Sequence, residues 1–100
     1  MPKKTQGQDY NYFKKLTVNN LQFNTDADVI ITFKTSGLIL HTESAGTVEY
    51  SMNGNTVHGE LVFGSNRATL NFTNRNACMI WFRLKSGSNV PVSVEAWAQD

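Results

Sequence analysis

Apolar residues along this chain fall mostly at alternate positions, and the clearest departures from that rule come near its end. Successive side chains of a β-strand point to opposite faces. In the stretch 77–84, Cys78, Ile80, Phe82 and Leu84 line one face while Met79 and Trp81 crowd the other. The last strand repeats the conflict, with Val92, Val94, Ala96 and Ala98 on one side and Trp97 on the other. A thin two-layer β domain has one core, so strands apolar on both faces require a second cover: a loop, an arm or another molecule.

The same alternation predicts the earlier elements. Leu16 and Val18 share one parity and Leu21 and Phe23 the opposite one, which a bend or bulge at Asn19-Asn20 reconciles. Val29, Ile31 and Phe33 alternate with Ile30 and Thr32, and Ser36-Gly37 breaks that strand before a short piece from Leu38 to Thr42. Val48, Tyr50 and Met52 alternate with Glu49 and Ser51. Asn53-Gly54 is the strongest local signal, because a tight hairpin turn needs positive φ at both central residues and these two tolerate it. Its return strand is expected to carry Val57, Leu61 and Phe63 on one face and His58 and Glu60 on the other. Gly59 there marks a bulge or a close backbone approach. Leu70 and Phe72 face inward between Thr69, Asn71 and Thr73, and Ser86-Gly87-Ser88-Asn89 is expected to close a final hairpin between the last two strands.

No segment sustains a helical period. Seven or eight short strands at such turn spacing predict an all-β, single-domain antiparallel β-sandwich, jelly-roll or immunoglobulin-like. Residues 1–15, polar with Tyr10, Tyr12 and Phe13 near their end, read as an extended N-terminal arm, and residues 16–100 as the sandwich. One hundred residues bury enough surface for one core without disulfide or metal.

Composition changes this picture little. Net charge is +1, which gives no field directed at nucleic acid, although residues 1–15 hold four lysines against Asp9 and the remainder five basic against seven acidic groups. Tyr10 to Lys15 interleaves aromatics with lysines, as single-stranded nucleic acid requires, but no second basic stripe accompanies it. Cys78 is the single cysteine and reads as a small buried residue of a core strand. After Lys3-Lys4 the apolar segment of a signal peptide is missing, and the apolar runs are far too short for a membrane span, so synthesis in a cytoplasm is the expectation.

Catalytic chemistry finds no foothold. His41 and His58 have no metal-ligand spacing around them, and His58 and Glu60 read as a surface pair on one strand face. The serines sit in turns, no glycine-rich loop precedes a helix, and Asp26 and Asp28 look like strand-entry residues rather than paired catalytic carboxylates. No enzyme, cofactor or metal is expected. Trp rings bring large apolar area with a polar N–H, so the outer set Met79, Trp81 and Trp97 reads as an interface or as excess core. If the last two strands pair, both indoles share a sheet face.

The run from Gly46 to Leu61 (GTVEYSMNGNTVHGEL), with Ile80 to Gly87 (IWFRLKSG), resembles small structural proteins of tailed bacteriophages. The resemblance covers roughly residues 25–97 and implies a non-enzymatic virion role, with no residue roles attached. The resulting expectation is a capsid decoration or cement protein, located in the virion and binding major capsid or other virion proteins, as a homo-oligomer. Tyr10, Tyr12 and Phe13 are its candidate arm anchors, and Met79, Trp81 and Trp97 the apolar surface that receives them. The alternative is a carbohydrate-binding or host-surface-binding module of a fibre or baseplate, with exposed coplanar rings flanked by Asn89 or Glu95.

Overall fold

The computed structural model describes residues 11–73 and 78–98. Eight strands run in chain order: β1 (Asn11–Val18), β2 (Val29–Ile30), β3 (Gly37–Thr42), β4 (Thr47–Ser51), β5 (Gly59–Val62), β6 (Thr69–Thr73), β7 (Met79–Ser86) and β8 (Val90–Trp97). They form two four-stranded sheets, β1-β8-β3-β6 and β2-β7-β4-β5, with every pairing antiparallel.

This order has a simple origin. Strand β4 pairs with β5, β3 with β6, β2 with β7 and β1 with β8, as in one long hairpin whose ribbon is rolled onto itself. Lateral pairing of β8 with β3 and of β7 with β4 then closes the two sheets. That is the jelly-roll, and it removes the immunoglobulin-like alternative.

The tip of the ribbon is the loop after β4, where the Asn53-Gly54 signal lies. The turn there is not the tight two-residue type. Gly54 has φ of 82° while Asn53 does not have positive φ, and residues 52–58 separate the paired strands. Asn53 acts through its side chain instead: Oδ1 accepts from the backbone N–H groups of Asn55 and Thr56, both at 2.9 Å. Side-chain acceptance of this kind satisfies loop donors that no ladder reaches.

Alternation decides the core. Strand β7 contributes Ile80, Phe82 and Leu84, β8 contributes Val90, Val92, Val94 and Ala96, and β3 contributes Leu38 and Leu40, all buried. Between the sheets the Tyr50 and Phe72 rings meet edge to face, centroids 6.1 Å apart. Gly59 is the close approach its sequence position predicts, since a Cβ there would lie 2.5 Å from the Tyr50 hydroxyl. Leu61 is buried, but Val57 and Phe63 are exposed because they lie outside β5, one before its start and the other beyond its end.

Several expectations change. Residues 11–15 belong to the sandwich, not to an arm, because Tyr12, Leu16 and Val18 alternate onto the core face and β8 offers an edge that the backbone of β1 completes. Cys78 is exposed, lying just before β7 begins at Met79, so the core parity of that strand starts at Ile80. Leu21 is 71% exposed, since the chain leaves the sheet after Val18. Most consequentially, β7 and β8 are not a hairpin. The turn between them carries Gly87 at φ 89° and Asn89 at φ 50° and crosses from one sheet to the other. It packs so closely that a Cβ on Gly87 would lie 2.9 Å from the Gly46 Cα.

Strand β2 has two residues, and side chains continue the ladder beyond it along the edge of β7. The Phe82 N–H donates to Asp28 Oδ2 at 2.8 Å, and the Phe82 carbonyl accepts from Asn20 Nδ2 at 2.8 Å. The Leu84 N–H donates to the Asn20 carbonyl at 2.7 Å. Asp28 is thus a strand-entry residue that also substitutes for a missing stretch of strand, and Asn20 explains the bend read at Asn19-Asn20.

Candidate interaction site

With the core complete, the outer faces are the place to look for function. Register fixes what each one displays. On the β1-β8-β3-β6 sheet three rows cross the face: Lys15, Ser93, His41 and Thr69; then Phe13, Glu95, Ile39 and Asn71; then Asn11, Trp97, Gly37 and Thr73. On the β2-β7-β4-β5 sheet, Ile30 stands opposite Met79, Trp81 opposite Ser51, and Arg83 opposite Glu49, with Glu60 beyond.

The sequence-derived residues are therefore divided. Trp97 and Phe13 share one outer face, Met79 and Trp81 share the other, and the two indoles do not form a common surface. The reason is the sheet-crossing turn at Gly87, which sends β8 to the opposite layer from β7. Tyr12 points inward against the core, and burial raises the pKa of its phenol above the ordinary value. Tyr10 lies outside the described residues.

Each indole is seated on a glycine of its own chain. A Cβ on Gly37 would lie 2.2 Å from Trp97 Cε2, so the indole covers the strand backbone where Gly37 has no side chain. Trp81 does the same for the loop at Gly54, where a Cβ would come within 3.0 Å of its Cε2. Aromatic cover of a sheet glycine is a packing device, which accounts for a Trp on an outer face. The Trp81 seat is imperfect, because its Nε1–H is buried with no hydrogen-bond partner among the described residues.

What remains in water is a different set. Phe13 is 64% exposed, Ile30 56% and Met79 43%. Ile30 and Met79 are cross-strand partners and make a continuous apolar patch beside Trp81. On the other sheet an open cleft of about 380 Å³ is lined by Asn11, Tyr12, Phe13, Glu95, Ala96 and Trp97. The Asn11 and Glu95 contribution to this cleft carries no distinctive spacing in the sequence, because two strands far apart in the chain bring the residues together.

The polar groups are mostly committed. Lys15 pairs with Glu43 at 3.0 Å, Arg83 with Glu49 at 2.8 Å and Lys85 with Glu60 at 3.5 Å. The neighbouring Lys15 holds the Glu43 carboxyl below the usual carboxylate range. His58 does not pair with Glu60: its Nδ1 accepts from the Met52 N–H at 2.9 Å, while Glu60 turns to Lys85. His41 Nδ1 lies 2.6 Å from Thr69 Oγ1 on the exposed sheet face. Among the described residues no group of three or more His, Cys, Asp or Glu is placed to hold a metal ion.

Comparison with known protein families, with curated proteins and with solved structures gives no match to this chain.

Proposed function

We propose that this protein is a non-enzymatic virion structural protein, a capsid decoration or cement component that works by docking on other protein subunits. The observation that carries the reading is the apolar surplus outside a finished core: Ile30 and Met79 stay more than two-fifths exposed as adjacent partners on one outer face. Large side chains left in water on a domain of this size favour burial at a contact, each worth about 1.5–3 kcal/mol when fully covered. The jelly-roll agrees by analogy only, since that fold serves capsid and lectin domains alike. Docking as a symmetric oligomer would cover the patch on each copy in the same way.

The carbohydrate-module reading draws less support. It calls for paired open rings, whereas the two indoles stand on opposite faces and each rests on a glycine of its own chain.

The test is co-sedimentation with empty shells of the major capsid protein of the phage taken to encode this chain. The native protein should pellet with shells at a fixed stoichiometry, and Met79→Glu should remain in the supernatant while keeping its unfolding midpoint. Shells that fail to retain the native protein, or that retain Met79→Glu and Ile30→Glu equally well, refute the reading.

A further inference from the structure

The outer faces of the two sheets carry the same combination of groups in two different states. On the β2-β7-β4-β5 face, a carboxylate and an aromatic ring hold one cation between them: the Arg83 Nε–H donates to Glu49 Oε1 at 2.8 Å, and the guanidinium carbon lies 4.6 Å from the centroid of Phe23. On the β1-β8-β3-β6 face, Glu95 projects between Phe13 on one side and Ile39 on the other, and Trp97 stands two residues along the same strand. Carboxylate and rings are again together, at the rim of the cleft described above. Here the basic groups of the adjacent row are engaged elsewhere, Lys15 with Glu43 and His41 with Thr69. Glu95 takes part in no ion pair or hydrogen bond among the described residues, whereas Glu43, Glu49 and Glu60 each have a basic partner.

Cross-strand neighbours of a sheet carboxylate are normally chosen to complement it. Glu95 has two apolar neighbours instead, Phe13 and Ile39, and its carboxylate stands exposed beside an exposed ring. A ring face attracts a cation within about 6 Å, and a planar guanidinium can lie on a ring while its N–H fork meets a carboxylate. An ammonium can do only one of the two well.

We propose that the cleft formed by Phe13, Glu95 and Trp97 is a receptor for an arginine side chain of the subunit on which this protein docks. The inference rests on the assembly reading above and adds to it the chemistry of one contact. The guanidinium donates to the Glu95 carboxylate and stacks on the exposed Phe13 ring, with the Trp97 indole as the side wall. The apolar Ile30–Met79 patch on the opposite face supplies area, and the Glu95 cleft fixes register through a directional charged pair.

The test uses the full chain, labelled with nitrogen-15, titrated with N-acetyl-arginine amide at low ionic strength. Saturable shifts are expected at the Trp97 Nε1–H and at the backbone amides of Phe13 and Glu95. Glu95→Gln should weaken the interaction about tenfold by removing the charge-assisted bond, and added salt should weaken it further. N-acetyl-leucine amide should produce no shift at these sites. Absence of shifts with the arginine probe, or equal shifts in Glu95→Gln, overturns the proposal. Equal binding of a neutral methyl glycoside overturns it in favour of a sugar site. If Lys3→Ala/Lys4→Ala in the full chain raises affinity for the probe about tenfold, the chain's own lysines are the natural occupants and the proposal of a partner arginine falls. Shell co-sedimentation separates this inference from the reading beneath it. Shells that bind the native protein and Glu95→Gln alike leave the assembly reading standing and sink the arginine contact. Probe binding without any shell binding does the reverse.

Discussion

Gly37→Ala is a one-methyl change that should behave oppositely in two backgrounds. Gly37 is in β3, opposite Trp97, and its φ is not in the left-handed region, so the backbone accepts alanine without strain. The obstacle is the indole: the added Cβ would lie 2.2 Å from Trp97 Cε2 and Cζ2, against an ordinary carbon–carbon contact of about 3.5–4.0 Å. Trp97 must swing off its seat by more than about 1 Å. Stripping roughly 60–100 Å² of indole from that contact costs about 1.5–2.5 kcal/mol at ~25 cal/mol per Å². In a Trp97→Ala background the obstruction is gone, and replacing a strand glycine by alanine should stabilise by about 0.5–1 kcal/mol. The sign reverses, and because the glycine-to-alanine gain is common to both backgrounds, the coupling energy in a double-mutant cycle is the indole term alone, about 1.5–2.5 kcal/mol. Urea unfolding followed by fluorescence measures all four proteins, with Trp81 as the remaining reporter when Trp97 is absent. A Gly37→Ala effect that is the same in both backgrounds would show that the indole does not sit on this glycine, and the account of Trp97 as a backbone cover would fail with it.

Two further predictions follow from the polar contacts. Asp28→Ala leaves the Phe82 N–H without its acceptor at the half-buried edge of β7 and should destabilise by about 1–3 kcal/mol, with amide exchange at Phe82 accelerated more than at Tyr50. An unchanged Phe82 protection factor would mean that the side chain does not substitute for strand there. Glu43 should titrate below its ordinary value of 4.5, and Lys15→Met should return it towards that value. Because the folded-state pKa is depressed, the contribution of this pair is present above the unfolded value and fades as pH falls through the folded one. A carbon-detected titration in which Glu43 is unmoved by Lys15→Met would contradict the pairing.

Much of the architecture is legible in the sequence because β alternation is a local rule. Leu38 and Leu40, Ile80, Phe82 and Leu84, and Val92, Val94 and Ala96 announce their face by parity alone, and they are buried as that parity requires. Gly59 and Gly54 announce a close approach and a turn because only a missing Cβ permits them. Parity does not carry past a strand end, which is why Cys78, which reads as a core residue, stands exposed just before β7. Nor does it say which strand lies beside which. A short glycine turn can return a chain along the same sheet or carry it to the facing one, and Ser86–Asn89 is the second kind.

Local chain chemistry thus determined the strand content, the inward face of most strands and the surplus of apolar residues on the outward faces. Tertiary structure alone decided the rolled order of the strands, the separation of Trp81 from Trp97, and the meeting of Phe13 with Glu95. Those outcomes depend on pairings between segments as distant as β1 and β8. Such pairings are selected by the fit of the whole core and by the closure of every backbone edge, which no window of neighbouring residues contains.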